Sequence, residues 1–256
     1  MQIDSTVADA YLVLGLIDLK PGPSFLAGAA YLERAIRLEP NNPTAHFWLS
    51  SFTSARGDPD SALAEIRRAR ALDPMSNAIA TGEMRMLSSR GDYAAARRAG
   101  ELLLARDSLY GIARTGLAVS LIFSGAPDNA LAVVRPVSGQ LAMAQGLKLF
   151  ALAAAGRWSD AERLRDSLAQ GRGCRGWNDG LWLSAMAFGE YDQAIDLLAA
   201  AWDSNFLSRA VFASVSCDPL LQPLRANARF LALLDRGGIG RCPNAATVKW
   251  PMAPRR

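Results

Sequence analysis

The stretch GDPDSALAEIRRARALDP, residues 57–74, decides how this chain is to be read, because GDYAAARRAGELLLARDS, residues 91–108, repeats its punctuation. Each opens on glycine, carries alanine five residues later and closes on Asp-Pro or Asp-Ser. Working outward, GAPDNALAVVRPV (125–137), GRWSDAERLRDSLA (156–169) and GEYDQAIDLLAAAWD (189–203) share the opening. Gly57, Gly91, Gly125, Gly156 and Gly189 stand before Ala62, Ala96, Ala130, Ala161 and Ala194. Counting back, Gly28 takes the first small-residue place, and the steps run 34, 34, 34, 31 and 33. The closing junctions at Pro40, Pro74 and Ser108 keep the spacing of 34, with Ser5 in the same role 35 residues earlier. A fixed period of this length is the signature of a repeat architecture.

The unit is a helical hairpin. Glycine ends a first helix by taking positive φ without a Cβ penalty. Asp, Ser or Pro then starts a second. The small residue marks the closest approach of the two helices, and Asp-Pro stops the second, since proline cannot continue it. One hairpin cannot bury its apolar stripe alone; stacked neighbours do so jointly.

The pairs Leu14-Gly15, Leu49-Ser50 and Leu117-Ala118, the Gly-x-Tyr/Trp turns at Tyr93, Trp158 and Tyr191, and the Ala and Asp-Pro positions resemble the tetratricopeptide repeat (TPR) family over about residues 3–203. The resemblance implies an all-α, right-handed α-α superhelix of about six hairpins, with C-terminal capping helices. Residues 6–203 form the array, 1–5 the end of a preceding repeat or a loop, 204–236 the caps and 237–256 a disordered tail. Three departures stand out. Glu83-Met84 replaces a Leu-small pair, Lys148 does so in a fifth copy three residues short, and Pro136 predicts a kink or frayed turn.

Bulk composition narrows the classes. Half of the 256 residues are apolar, and no run of eighteen apolar residues free of charge occurs, so membrane insertion is not expected. The net charge of +4 is mostly arginine interleaved with acids, as in AEIRRARALD. That pattern keeps a helix face wet and argues against a nucleic-acid partner. Cys174, Cys217 and Cys242 are odd in number and far apart, without CxxC or Cys/His spacing. Neither zinc nor a disulfide is expected, no cofactor is implied, and the location expected is a reducing cytoplasm.

In TPR arrays the first helices line a concave face where partners dock. Mapping that face gives Leu12, Leu16, Phe47, Ser51, Thr81, Arg85, Thr115, Val119, Ile122, Phe123, Phe150, Leu183 and Met186. This groove is apolar with one basic residue, and it lacks the several Lys and Asn residues of TPR clamps for chaperone C-terminal carboxylates. It suits an extended segment or helix of a protein or peptide partner, or a superhelix whose own terminal helix folds back over it. The alternative is that Val119, Ile122, Phe123 and Phe150 simply pack between neighbours. Chemistry is sparse. His46 is the single histidine and falls at a packing position, so a structural role is expected. Cys174 in GRGCRGW lies near Arg172 and Arg175 without a base, and that loop lacks the Gly-Lys-Ser/Thr ending of a phosphate cradle. The chain therefore reads as an interaction scaffold and not as an enzyme.

Its ending differs. Residues 205–215 suit one further helix with Leu207, Val211 and Phe212 as its stripe. In CDPLLQPLRANARFLALLDR, residues 217–236, Pro219 and Pro223 bracket a turn, and Asn227 caps a last helix bearing Phe230, Leu231, Leu233 and Leu234. Asp218-Pro219, Pro223-Leu224-Arg225, Arg229-Phe230 and Leu233-Leu234 resemble the close of a TPR group attached to bacterial nucleotide cyclases, winged-helix regulators and Ser/Thr kinases. That resemblance implies a sensory or docking module, fused to or split from an upstream effector. QIDS at the start reads as the end of an earlier repeat. Cys217 is expected to have no partner for chemistry, and Trp250 stands in the tail as a potential docking anchor.

Overall fold

The computed structural model describes residues 7–17, 27–137, 142–170, 181–204, 217–242 and 250–252. The expected helix over 205–215, the Cys174 loop with Trp177, residues 1–5 and the rest of the tail lie outside the described residues. Six helical hairpins follow one another: α1 (Ala8–Ile17) with α2 (Ala27–Leu38), α3 (Pro43–Ala55) with α4 (Pro59–Leu72), α5 (Asn77–Ser89) with α6 (Tyr93–Arg106), α7 (Gly111–Phe123) with α8 (Pro127–Val134), α9 (Ala142–Ala154) with α10 (Trp158–Gln170), and α11 (Leu181–Phe188) with α12 (Tyr191–Ser204). A 3-10 turn, Pro219–Leu224, and a final helix α13, Ala228–Gly237, follow. From the second hairpin on, each first helix also packs on the next first helix, along the series α3, α5, α7, α9 and α11. The result is an all-α TPR-like superhelix.

Local chemistry explains the regularity. Gly57, Gly91, Gly125, Gly156 and Gly189 all have positive φ, between 73° and 83°, so the hairpin turns use the left-handed region that disfavours other residues. The side chains of Asn42, Asp58, Ser76 and Asp92 accept hydrogen bonds from the backbone N–H groups of Ala45, Ser61, Ile79 and Ala95. Each cap satisfies a donor that the first helical turn leaves orphaned. Ala62, Ala96, Ala130, Ala161 and Ala194 are all 0% exposed, as residues at the closest helix approach must be. In the first hairpin a Cβ on Gly28 would lie 2.7 Å from the carbonyl oxygen of Gly15.

The departures have physical answers. Met84 is buried where a small residue is expected, and the room comes from its neighbours. A Cβ on Gly116 would meet Met84 Cε at 2.3 Å, and one on Gly100 would meet its sulfur at 2.8 Å. Ahead of Pro136, α8 stops at Val134 after eight residues. His46 is buried and ties α3 to its surroundings, with Nδ1 2.6 Å from Glu65 and Nε2 3.0 Å from the Pro40 carbonyl.

The C-terminal elements then fold back. On α13, Phe230, Leu233 and Leu234 are buried, and Gly237 sits so close to Trp202 that a Cβ would lie 2.7 Å from the indole. Arg229 bridges to Asp192 and Asp196 of α12, and Arg236 to Asp203. Gly238, at φ 64°, ends the helix.

Candidate functional site

The groove-lining residues fall into two groups. Ser51, Val119, Ile122, Phe150, Leu183 and Met186 are buried, while Leu12, Leu16, Phe47, Thr81, Arg85, Thr115 and Phe123 are half-buried. Thr81 and Thr115 commit their hydroxyls to the carbonyls of Asn77 and Ile112 on their own helices. Phe47 meets Trp48 edge to face, with centroids 5.3 Å apart. The structure brings three of the thirteen, Arg85, Phe123 and Phe150, into contact or charge range of the C-terminal segment.

That segment meets the array at the end of α3. Cys217 is 1% exposed and its sulfur lies 3.6 Å from the Ser54 carbonyl of α3. The side chain of Asp218 accepts from Leu220 N–H at 2.9 Å and caps the 3-10 turn. Arg225 donates from one Nη to the carbonyls of both Cys217 and Asp218, at 2.8 and 3.0 Å, closing the turn from behind. Further along, Gly240 N–H donates to the Ala55 carbonyl at 2.7 Å, taking one of the acceptors that the end of α3 leaves open. A Cβ on Gly240 would lie 2.0 Å from the Arg56 carbonyl oxygen, so only glycine allows this approach. Trp250 stands edge-on to Phe123 and Phe150, at 6.1 and 5.3 Å between centroids, and Tyr93 stacks on Phe123 at 5.5 Å.

A buried polar cluster lies under the segment. Burial pushes the Asp218 carboxyl up to about 6, against the partial opposition of the Leu220 N–H, Arg225 and Arg85. Burial raises the Tyr93 phenol to about 12 and pulls both guanidiniums below their ordinary value. Arg85 Nε, Tyr93 Oη and Arg225 Nε are buried without a hydrogen-bond partner. Each such orphan costs about 1–3 kcal/mol. Two guanidiniums therefore share one carboxylate that pairs fully with neither.

One expectation needs correction. The cysteines were not expected to pair, yet Cys217 forms a disulfide with Cys242 across a sequence separation of 25. Spacing alone could not show this, because the turn and α13 between them set the distance. Disulfides persist in oxidising compartments, so the expected reducing cytoplasm loses its basis. Among the described residues, no helix is long and apolar enough to cross a membrane. Within the tail, Ile239 is buried, and Trp250 and Met252 pack against the core; residues 243–249 and 253–256 lie outside the described residues. The partners of Trp250, Phe123 on α7 and Phe150 on α9, are distant in sequence, and hydropathy within the tail carries no trace of them. Among the described residues no three metal-ligating side chains gather.

No family model matches the chain, and no curated protein does. Among solved structures it is similar to that of Pseudomonas aeruginosa PilF, a TPR protein, with a TM-score of 0.56. The likeness covers 80% of this chain and 96% of the other at 20% identity, and it bears on the fold alone.

Proposed function

We propose that this chain is a protein-interaction scaffold, without catalysis of its own, whose concave face takes an extended polypeptide. One observation supports the reading: the chain's own C-terminal segment already rests on the ends of the first helices, through short irregular stretches on either side of α13. It is held by a main-chain hydrogen bond from Gly240 to Ala55 and by Trp250 against two aromatic rings. An apolar groove that grips irregular backbone in this way has the properties of a peptide site. A photo-crosslinking residue placed at Thr115, half-buried on α7, should capture a defined protein. The same residue at Leu102, 74% exposed on α6, should not. Capture from Leu102 alone would move the interaction to the outer face.

A second reading, a regulatory module of a larger bacterial signalling protein, is supported by residues 217–234. The Asp-Pro and Pro-Leu-Arg pieces have a shared task there, since Arg225 ties the turn to the carbonyls of Cys217 and Asp218. An in-frame cyclase, kinase or winged-helix coding sequence upstream would support it, and an unrelated neighbour behind its own promoter would remove it.

A further inference from the structure

The C-terminal segment fills the groove imperfectly, and where it does so defines what would fit better. At one point Asp218 lies in charge range of Arg85 and Tyr93, but its carboxylate accepts from Leu220 instead. Arg85 Nε and Tyr93 Oη stay unpartnered in a buried place. A carboxylate that reached both donors would form charge-assisted hydrogen bonds that Asp218, held in its own turn, does not make. At the other point Trp250 stands edge-on against Phe123 of α7 and Phe150 of α9, whose own rings are 6.4 Å apart, an aromatic pair that another flat ring could cap.

The two points are close. Tyr93 of the first stacks on Phe123 of the second, with ring centroids 5.5 Å apart. An extended chain rises about 3.3 Å per residue, so a carboxylate and a ring within about five residues of each other on one strand would span them. The chain's own segment supplies its two groups from positions 218 and 250 instead, joined through α13 and held by the Cys217–Cys242 bond. It is thus two separate plugs and not one optimised ligand.

We propose that this face is a two-point docking site for an extended partner segment bearing Asp or Glu and, within about five residues, an aromatic residue, and that Asp218 and Trp250 occupy the two points as an intramolecular competitor. This rests on the scaffold reading above and adds the chemistry of the partner. A competitor lowers apparent affinity by the fraction of time the groove is open, so weakening the competitor strengthens partner binding even though it removes contacts from the protein.

The test uses the full chain and a fluorescein-labelled pool of synthetic decapeptides with one acid and one Trp or Phe at those spacings, followed by anisotropy. Trp250→Ala should bind the pool at least tenfold more tightly than the parent chain. Gly240→Val leaves the groove residues untouched and ejects the segment through its clash with Arg56, and it should do the same. Arg85→Gln placed on Trp250→Ala should abolish the gain, as should replacing the acid by its amide in the peptides. Equal or weaker binding by both competitor variants, with helical content retained, would overturn the proposal. So would a gain indifferent to Arg85 and to the peptide acid. If the Thr115 crosslinker still captures a defined protein while the pool fails with every variant, the scaffold reading stands and the two-point partner falls. If both fail, both readings fall.

Discussion

The repeat array and the C-terminal segment share one core but are built on opposite principles. In the array the elements are secured by neighbours in sequence: a left-handed glycine and a fully buried alanine recur in five hairpins, and side-chain caps start α3 to α6. The segment has no period. It is held by contacts to residues far off in the chain, such as Cys217 to Ser54, Gly240 to Ala55 and Trp250 to Phe123, and by one disulfide. The array spreads its stability over nearest-neighbour interfaces. The segment concentrates its own in a few points, one of them a poorly satisfied buried charge cluster. The comparison teaches that the groove and its occupant are separable, and four perturbations bear on that separation.

The largest effect is expected from Phe52→Ala in α3, since Phe52 is 2% exposed and its loss leaves a cavity. The cost should be about 3–5 kcal/mol, seen as a lower urea midpoint of far-ultraviolet circular dichroism for the whole array. If instead only Trp250 fluorescence responds, array and segment are less distinct than stated.

Next comes reduction of Cys217–Cys242 by excess dithiothreitol. Opening a loop with a sequence separation of 25 should remove about 3 kcal/mol of stabilisation. That loss should fall on the segment, so hydrogen exchange should rise at 239–242 while the amides of α5 and α7 stay protected. Equal deprotection of both would join the two regions into one cooperative unit.

Third is the pH response of Asp218. Its carboxyl, raised to about 6 in the folded chain, holds a proton there that the unfolded chain has already lost. The stabilisation is therefore full below about pH 4 and disappears as pH rises through about 6. The size is about 2–3 kcal/mol. Asp218→Asn keeps an acceptor for Leu220 N–H and removes the titration. It should be the more stable chain at pH 8, the advantage shrinking to nothing at pH 4. A parent chain more stable at pH 8 than the variant would mean that the carboxylate is well paired with Arg85 or Arg225.

The smallest effect belongs to Arg229→Ala. Its partners Asp192 and Asp196 raise the guanidinium further above its ordinary range, but all three are exposed and screened by water and salt. The urea midpoint should hardly move, and α13 should stay docked through Phe230, Leu233 and Leu234. Release of α13 would show that the ion pairs, and not the apolar stripe, hold the cap.

Much of the fold was legible because its causes are local. Gly57 and its four counterparts announce the turns, Asn42 and Asp58 the helix starts, and Asn227 the start of α13. Trp250 was noticed as a potential anchor, but nothing near it in sequence names its slot. Tyr93 read as a turn residue, and only the segment above it shows that its hydroxyl is buried. Even Met84, a break in the pattern, needed Gly100 and Gly116 from other helices to make sense.

By itself, then, the sequence determined the number of hairpins, their turns and their caps. Each of those follows from residues within one period of one another. Only the tertiary structure decided where the C-terminal segment rests, which cysteines join, and that Arg85, Tyr93, Asp218 and Arg225 are buried together. Those outcomes depend on where a chain end lands after six hairpins have stacked. No period records that position, because the landing residues and the landing site belong to parts of the sequence that share no local rule.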